Sequence, residues 1–302
     1  MKMIKYLKVI YWNLVGVYRK CLSIVSPTLA TKYFYNRSAG KPLNLKNPRD
    51  FREKLQWLKL NTYYNNSIIT QCADKVAVRE YVIEKGFGDI LNDVIGVYSS
   101  FDEIDWDTLP NKFALKCNHG CGYNLICDDK SKLDIENVRT TVNDWMKEKY
   151  WQKYAEVNYK FIKPMILIEK YLDTDQGFLP NDYKFYCFNG EPLCVLVMVG
   201  RNQETNAAFM DMNYELITLN YKYSIENFEV PARPECFDRM IKIAKELSKE
   251  FPFVRVDLYD NNGKVVFGEL TFTPAGGLQT SEIELEVDGK RVTMGDLLKL
   301  SM

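Results

Sequence analysis

The first 49 residues contain no aspartate or glutamate, and the whole 302-residue chain contains one histidine, His119. No Gly-Lys pair is followed by Ser or Thr, which excludes the P-loop. No Gly-x-Ser-x-Gly elbow occurs, and any triad could use only His119, which sets aside nucleophilic hydrolysis. Long hydrophobic runs are also missing. The longest nearly uncharged one, Val9–Tyr18, is about half of what a spanning helix needs, and this excludes an integral membrane protein. Eight cysteines form neither a Cys-x-x-Cys pair nor a dense framework, and no secretory leader is apparent. Reduced thiols and a cytoplasmic location are expected.

Against these absences, 46% of residues are hydrophobic and 26% charged, the composition of a globular protein. Lys+Arg and Asp+Glu are both 40, so the formal net charge is zero. The balance is uneven, because ten basic residues precede position 50 and the rest of the chain is net acidic. At helical spacing Ile4, Leu7, Tyr11, Leu14, Tyr18, Leu22 and Val25 share a face, while Lys2, Lys5, Lys8, Arg19 and Lys20 fall on another arc. This predicts a basic amphipathic helix ending near Ser26-Pro27, with a loop over 36–49. Its apolar stripe suits either an anionic membrane surface or the protein's own acidic body.

Further helices are predicted over Asp50–Leu60, Asp74–Lys85, Asp134–Tyr154 and Cys236–Glu250. Strands are predicted at Phe113–Lys116, Met165–Glu169, Lys184–Phe188, Leu193–Val199, Phe209–Asn213, Glu215–Leu219, Phe253–Tyr259 and Lys264–Thr271. Asn189-Gly190 and Asp260–Gly263 read as hairpin turns. Hairpins with intervening helices argue for an α+β fold rather than an alternating parallel sheet.

Four places carry candidate chemistry. Alternation puts Arg255, Asp257 and Tyr259 on one strand face and Glu269 and Thr271 on one face of the next, and the turn can bring Asp257 beside Glu269. Adjacent carboxylates on apolar strands either hold a cation such as Mg²⁺ together with phosphates, or are solvated charges on an open sheet face. Lys116 ends a strand before Asn118-His119-Gly120-Cys121-Gly122, a loop able to present one cation and backbone N–H groups to phosphate, or an ordinary turn. Cys117, His119, Cys121 and Cys127 supply zinc-ligand types, but at a spacing unlike the usual knuckles. Asp74-Lys75 with Arg79, Glu169-Lys170 before Leu172, and Asp182-x-Lys184 suit a helix start, a strand exit and a cross-strand ion pair. They equally suit nucleotide contacts.

The order of these segments resembles the ATP-grasp superfamily, and more narrowly its TupA-like family of cell-surface polysaccharide clusters. The resemblance rests on NPRDFREKLQWLKL, DKVAVREYV, LPNKFALKCNHGCGYN, ILIEKYL, DYKFYCFNGEP and FPFVRVDLYDNNGKVVFGELTFTPAGG, and it runs from about Lys41 to the C-terminus. It implies an ATP-grasp fold behind a basic arm. Residues 1–49 would be the arm and linker, 50–111 an N-terminal helical and α/β region, 112–172 the lid subdomain, and 173–302 the C-terminal subdomain with the metal site. It also implies ATP and Mg²⁺ as cofactors. Lys75 and Lys116 would hold α- and β-phosphates, Gly120 and Gly122 a mobile lid, Glu169, Lys170 and Leu172 the adenine, and Asp182 the ribose. Lys184 would contact the γ-phosphate and Arg255 the developing oxyanion. Asp257, Glu269 and Thr271 would hold the metal. Many superfamily members end the metal motif Glu-x-Asn, where this chain has Glu269-Leu-Thr271, a hydroxyl in place of an amide. The implied activity is carboxylate–amine ligation through an acyl phosphate, amidating a uronic acid or another carboxylate-bearing glycan or sugar precursor with an amino compound. No nucleic acid is expected as a partner, and the basic helix over residues 1–25 adds an anionic membrane surface, with a cytoplasmic location, peripheral at the inner face of the membrane. A glycosyltransferase, a phosphotransferase or a non-catalytic nucleotide-binding scaffold would fit the same frame.

Overall fold

Capping chemistry sets most helix boundaries. The computed structural model describes residues 2–174, 179–200, 205–219, 231–278, 283–287 and 289–301, with side chains from Leu14 onward except that of Leu219. Helix α1 (Lys2–Val25) stops where the Ser26 hydroxyl accepts from Leu29 N and Pro27 opens α2 (Pro27–Ala39). Helix α2 is not expected from the sequence, which has a proline at its first position and a loop-like composition from 36 onward. The side-chain faces expected for Lys2, Ile4, Lys5, Leu7, Lys8 and Tyr11 lie outside the described residues. Asp50 caps α3 (Phe51–Asn61), accepting from Glu53 N at 2.8 Å. The helix predicted over 74–85 is α5 (Val78–Glu84), which starts four residues later, and an unpredicted helix, α4 (Ser67–Ala73), precedes it. Asp74 breaks the run by an Asx turn, its Oδ1 accepting from Val76 N at 2.8 Å and Ala77 N at 3.3 Å. Lys75 is thereby left on a turn rather than a helix.

A four-stranded antiparallel sheet follows, from β1 (Val94–Tyr98), β2 (Phe113–Cys117), β3 (Asn124–Cys127) and β4 (Ile166–Lys170), in the order β1-β4-β2-β3. Helix α6 (Ile135–Lys147) covers one face, and Val138 and Val142 join Phe113, Leu115, Ile166 and Ile168 in its core.

A six-stranded antiparallel sheet contains β5 (Asn181–Phe188), β6 (Glu191–Val199), β7 (Asn206–Met210) and β8 (Leu216–Leu219). After α7 (Phe237–Ser248) it is completed by β9 (Phe253–Asn261) and β10 (Lys264–Thr271), in the order β10-β9-β5-β6-β7-β8. The apolar side of α7, with Met240, Ile243, Ala244 and Leu247, packs in a core with Phe185, Val195, Val256 and Leu258. Asn189 and Gly190 both take positive φ, 50° and 84°, as a tight hairpin requires. Phe51 of α3 packs edge-on to Phe253 at 5.0 Å, which ties the N-terminal helices to the large sheet. A small hairpin, β11 (Glu284–Val287) with β12 (Lys290–Thr293), and α8 (Met294–Leu297) complete the α+β fold.

Candidate functional site

The register of β9 against β10 decides where the charges meet. From the turn to Phe267 the strands pair regularly, with Phe267 opposite Leu258. Continued unchanged, that register would set Gly268 against Asp257 and turn Glu269 to the other face. A bulge between Phe267 and Glu269 shifts the pairing, so that Glu269 faces Asp257 and Thr271 faces Arg255. Only glycine fits at 268, because a Cβ there would lie 2.9 Å from Asp257 O and 3.1 Å from the Tyr259 ring. On the other side of β9, Lys184 of β5 pairs in register with Asp257.

These residues form one alternating network. Arg255 holds Asp257 through Nε and Nη2, both at 2.7 Å, and its Nη2 donates to Thr271 Oγ1 at 3.2 Å. Lys184 Nζ lies 2.5 Å from Asp257 Oδ2 and 2.7 Å from Asp182 Oδ2. Glu269 Oε1 accepts from Thr271 Oγ1 at 3.0 Å and lies 3.5 Å from Arg255 Nη2, while its Oε2 is 3.3 Å from Lys75 Nζ. Three acids and three bases therefore balance around a site in which Asp182 and Asp257 are buried. Burial would raise the Glu269 carboxyl, but Lys75, Arg255 and Lys184 together hold it at about 2. Burial does raise the Asp257 carboxyl, against Arg255 and Lys184. Lys184 is raised despite burial, by Asp182 and Asp257.

A second pair stands on the smaller sheet. Lys116 Nζ is 2.6 Å from Glu169 Oε2, and Arg79 Nη1 is 3.3 Å from Glu169 Oε1. Arg79 is fixed in turn by Asn92 O at 2.7 Å. Lys170 points outward, 3.6 Å from Asp93, and its carbonyl accepts from Asn92 Nδ2 at 2.8 Å. Lys116, Lys170, Leu172, Ala114, Ile126 and Tyr259 are among the residues lining a cavity of about 70 Å³ between the two sheets.

Lys75 joins the larger-sheet cluster to the glycine loop, since its Nζ also donates to Gly120 O at 2.8 Å. The loop is anchored more firmly than a mobile lid over 118–124 implies. Asn118 is buried, donates to Asp74 Oδ1 at 2.8 Å and Lys163 O at 3.0 Å, and accepts from Met165 N at 2.7 Å. Gly120 packs so tightly that a Cβ would meet the Tyr150 and Tyr123 rings at 2.6 and 2.7 Å. Gly122, at φ +80°, faces open space. His119 is buried with Nε2 3.0 Å from Trp145 O and 3.2 Å from Glu148 O, and burial lowers its pKa. Among the described residues no cluster of His, Cys, Asp or Glu could hold a metal by itself, so the zinc alternative finds no support.

The structure thus brings together Lys75, Gly120, Lys184, Asp182, Arg255, Asp257, Glu269 and Thr271, while Lys116 and Glu169 pair on the smaller sheet. Lys170 does not turn its side chain inward. Arg79, a candidate nucleotide contact beside Lys75, supports Glu169, and Asn118, inside a motif block but given no role of its own, anchors the loop. Behind β10 lies a polar set with no sequence signal. Thr273 Oγ1 donates to buried Glu156 at 2.8 Å, and Lys59, held down at about 8 by burial, donates to Tyr154 O.

Comparison with known proteins adds a family. A model described as TupA-like ATPgrasp matches residues 53–299. No curated protein matches the sequence. Among solved structures, the D-alanine–D-alanine ligase from Bacillus anthracis complexed with ATP is similar at a TM-score of 0.42 and 16% identity, over 67% of this chain and 55% of that one. The L-amino acid ligase from Bacillus licheniformis gives 0.41 and 14%, over 73% and 48%. This chain spans about half the length of those proteins.

Proposed function

This chain belongs to the TupA-like ATP-grasp family, and from that premise we propose that it is an ATP-dependent carboxylate–amine ligase. The observation that carries the reading is the bulged register that sets Glu269 beside Asp257, with Arg255 and Lys184 on the same sheet face. A site this rich in paired charge is matched by a polyanionic ligand, which can take over the cations now held by carboxylates.

In the proposed complex Lys75 and Lys116 bind the α- and β-phosphates, under the loop of Gly120 and Gly122. Glu169, Lys170 and Leu172 border the adenine, and Asp182 borders the ribose while holding Lys184. Asp257, Glu269 and Thr271 fit Mg²⁺ by the chemistry of the donor set: two carboxylates and a hydroxyl, all oxygen, too few to enclose the ion without phosphates and water. When bound there, Mg²⁺ supplies charge neutralisation to the phosphates. Lys184 orients the γ-phosphoryl group for attack by a substrate carboxylate oxygen, which forms an acyl phosphate and releases ADP. The amine nitrogen then attacks the acyl carbon, and Arg255 stabilises the oxyanion of the tetrahedral adduct. Phosphate leaves with the C–O bond electrons, the nitrogen loses its proton to solvent, and an amide remains.

The acceptor is proposed to be a uronic acid or another carboxylate-bearing precursor of a cell-surface polysaccharide, and the amine an amino acid or similar compound, in the cytoplasm. The test is product analysis with ATP, Mg²⁺, glucuronate-containing oligosaccharides and a set of amino acids. Equal amounts of ADP, phosphate and amide are expected. Consumption of a sugar nucleotide with ATP untouched would replace the ligase by a glycosyltransferase, and transfer of phosphate to a hydroxyl would replace it by a phosphotransferase.

A further inference from the structure

Three turns of α1 are arranged inside out. Leu14, Val17, Tyr18, Ile24 and Val25 are 64%, 60%, 51%, 57% and 80% exposed, and Cys21 between them is exposed as well. At helical spacing they fill one arc of about 120°. Three polar residues of the same turns touch the body of the protein. Ser23 is fully buried and donates to Gln152 O at 2.9 Å. Arg19 lies over the Phe34 ring at 5.7 Å, and Lys20 is 3.6 Å from Glu148. Leu22 turns inward, packing with Ala30, Phe34 and Ala155, Val15 is half-buried, and the Tyr18 ring meets the edge of Tyr33 at 5.5 Å. Arg19 and Lys20, expected on an arc apart from the apolar stripe, both touch the body, Lys20 from an exposed position.

A surface helix in water buries its apolar stripe, so a stripe turned outward calls for an occupant other than the protein's own body. Charge decides which. Residues 1–49 carry ten bases and no acid, and Lys32 and Arg37 of α2 are exposed. A second copy docked stripe to stripe would bring two such segments together with no acid in either. An anionic bilayer complements both the apolar face and the positive charge. Among the described residues no helix is long and apolar enough to cross a membrane, so the helix would lie in the interfacial plane. We propose that α1 docks the protein on an anionic membrane surface, with Leu14, Val17, Ile24 and Val25 inserted among the lipids.

The docking face stands close to the site. Glu148, the partner of Lys20, also accepts from Tyr123 OH at 2.7 Å, and the Tyr123 ring abuts Gly120. Membrane docking does not depend on what the site does, and its test uses no nucleotide.

The test is co-sedimentation of the full chain with vesicles of phosphatidylglycerol and phosphatidylcholine, and with phosphatidylcholine alone. Binding is expected only to the anionic vesicles, weaker at high salt. Val17→Ser with Ile24→Ser changes exposed positions only, so the fold should persist, checked by circular dichroism. This variant should partition into the vesicles at least about tenfold less. Three results would overturn the proposal: protein left in the supernatant with anionic vesicles, equal binding of the variant, or a soluble dimer that the variant converts to monomer.

Discussion

Glu269 sits between Lys75 at 3.3 Å and Arg255 at 3.5 Å, and these cations hold its carboxyl near 2 instead of its ordinary 4.5. The shift has a sign that can be checked. A carboxyl with a depressed value in the folded state stabilises fully above its ordinary value, and it loses that contribution as pH falls through the folded one. The difference in unfolding free energy between the parent and Glu269→Gln should therefore be constant above pH 4.5 and shrink toward zero as pH approaches 2. Denaturant titrations across that range check it, and a difference that persists unchanged to pH 2 would mean that the Lys75 and Arg255 contacts do not act on this carboxyl. At this scale the sequence was informative. Arg255, Asp257, Glu269 and Thr271 were identifiable because strands alternate and apolar neighbours made the charged positions conspicuous. The roles of Asn118, Lys59 and Glu156 were not, since each meets its neighbours through long-range packing that no local pattern encodes.

Among the elements, the β9–β10 hairpin depends on one irregularity. Alternation and the Asp260–Gly263 turn announce the hairpin, but they do not announce the bulge, and without the bulge Glu269 would point away from Asp257. Gly268→Ala should therefore act as a remote metal-site lesion. A Cβ placed 2.9 Å from a backbone oxygen forces the bulge to shift, at a cost of about 1–3 kcal/mol of stability. It should also reduce Mg²⁺-ATP turnover at least about tenfold, as expected when a charged contact is misplaced by an ångström. Melting and turnover measured together check this, and full turnover with a lowered melting temperature would show that the bulge does not position Glu269. Other element boundaries failed for physical reasons. Strand β1 escaped notice because its five residues lack clear alternation and are largely exposed or half-buried, with no strong burial signature. The helix expected to begin at Asp74 begins only at Val78, because the Asp74 side chain bonds its own following N–H groups. Helix α2 is hidden behind Pro27, which ends the pattern of α1 and serves as the start of α2.

In the whole molecule, two antiparallel sheets present opposed charge clusters, Lys116 with Glu169 on the smaller and Lys184, Arg255, Asp257 and Glu269 on the larger, with Lys75 reaching from between to the loop at Gly120. The motif order along the chain was legible because each cluster lies at a strand end or hairpin, while the facing of the sheets follows from packing alone. The account's central claim is that these clusters together hold a nucleotide and its metal. Calorimetric titration of the full chain with a non-hydrolysable ATP analogue, with and without Mg²⁺, and then of Glu269→Gln, tests it most directly. The account predicts binding to the parent that Mg²⁺ strengthens at least about tenfold, and binding to the variant that Mg²⁺ no longer strengthens. No binding to the parent, or binding indifferent to both Mg²⁺ and Glu269, would contradict it.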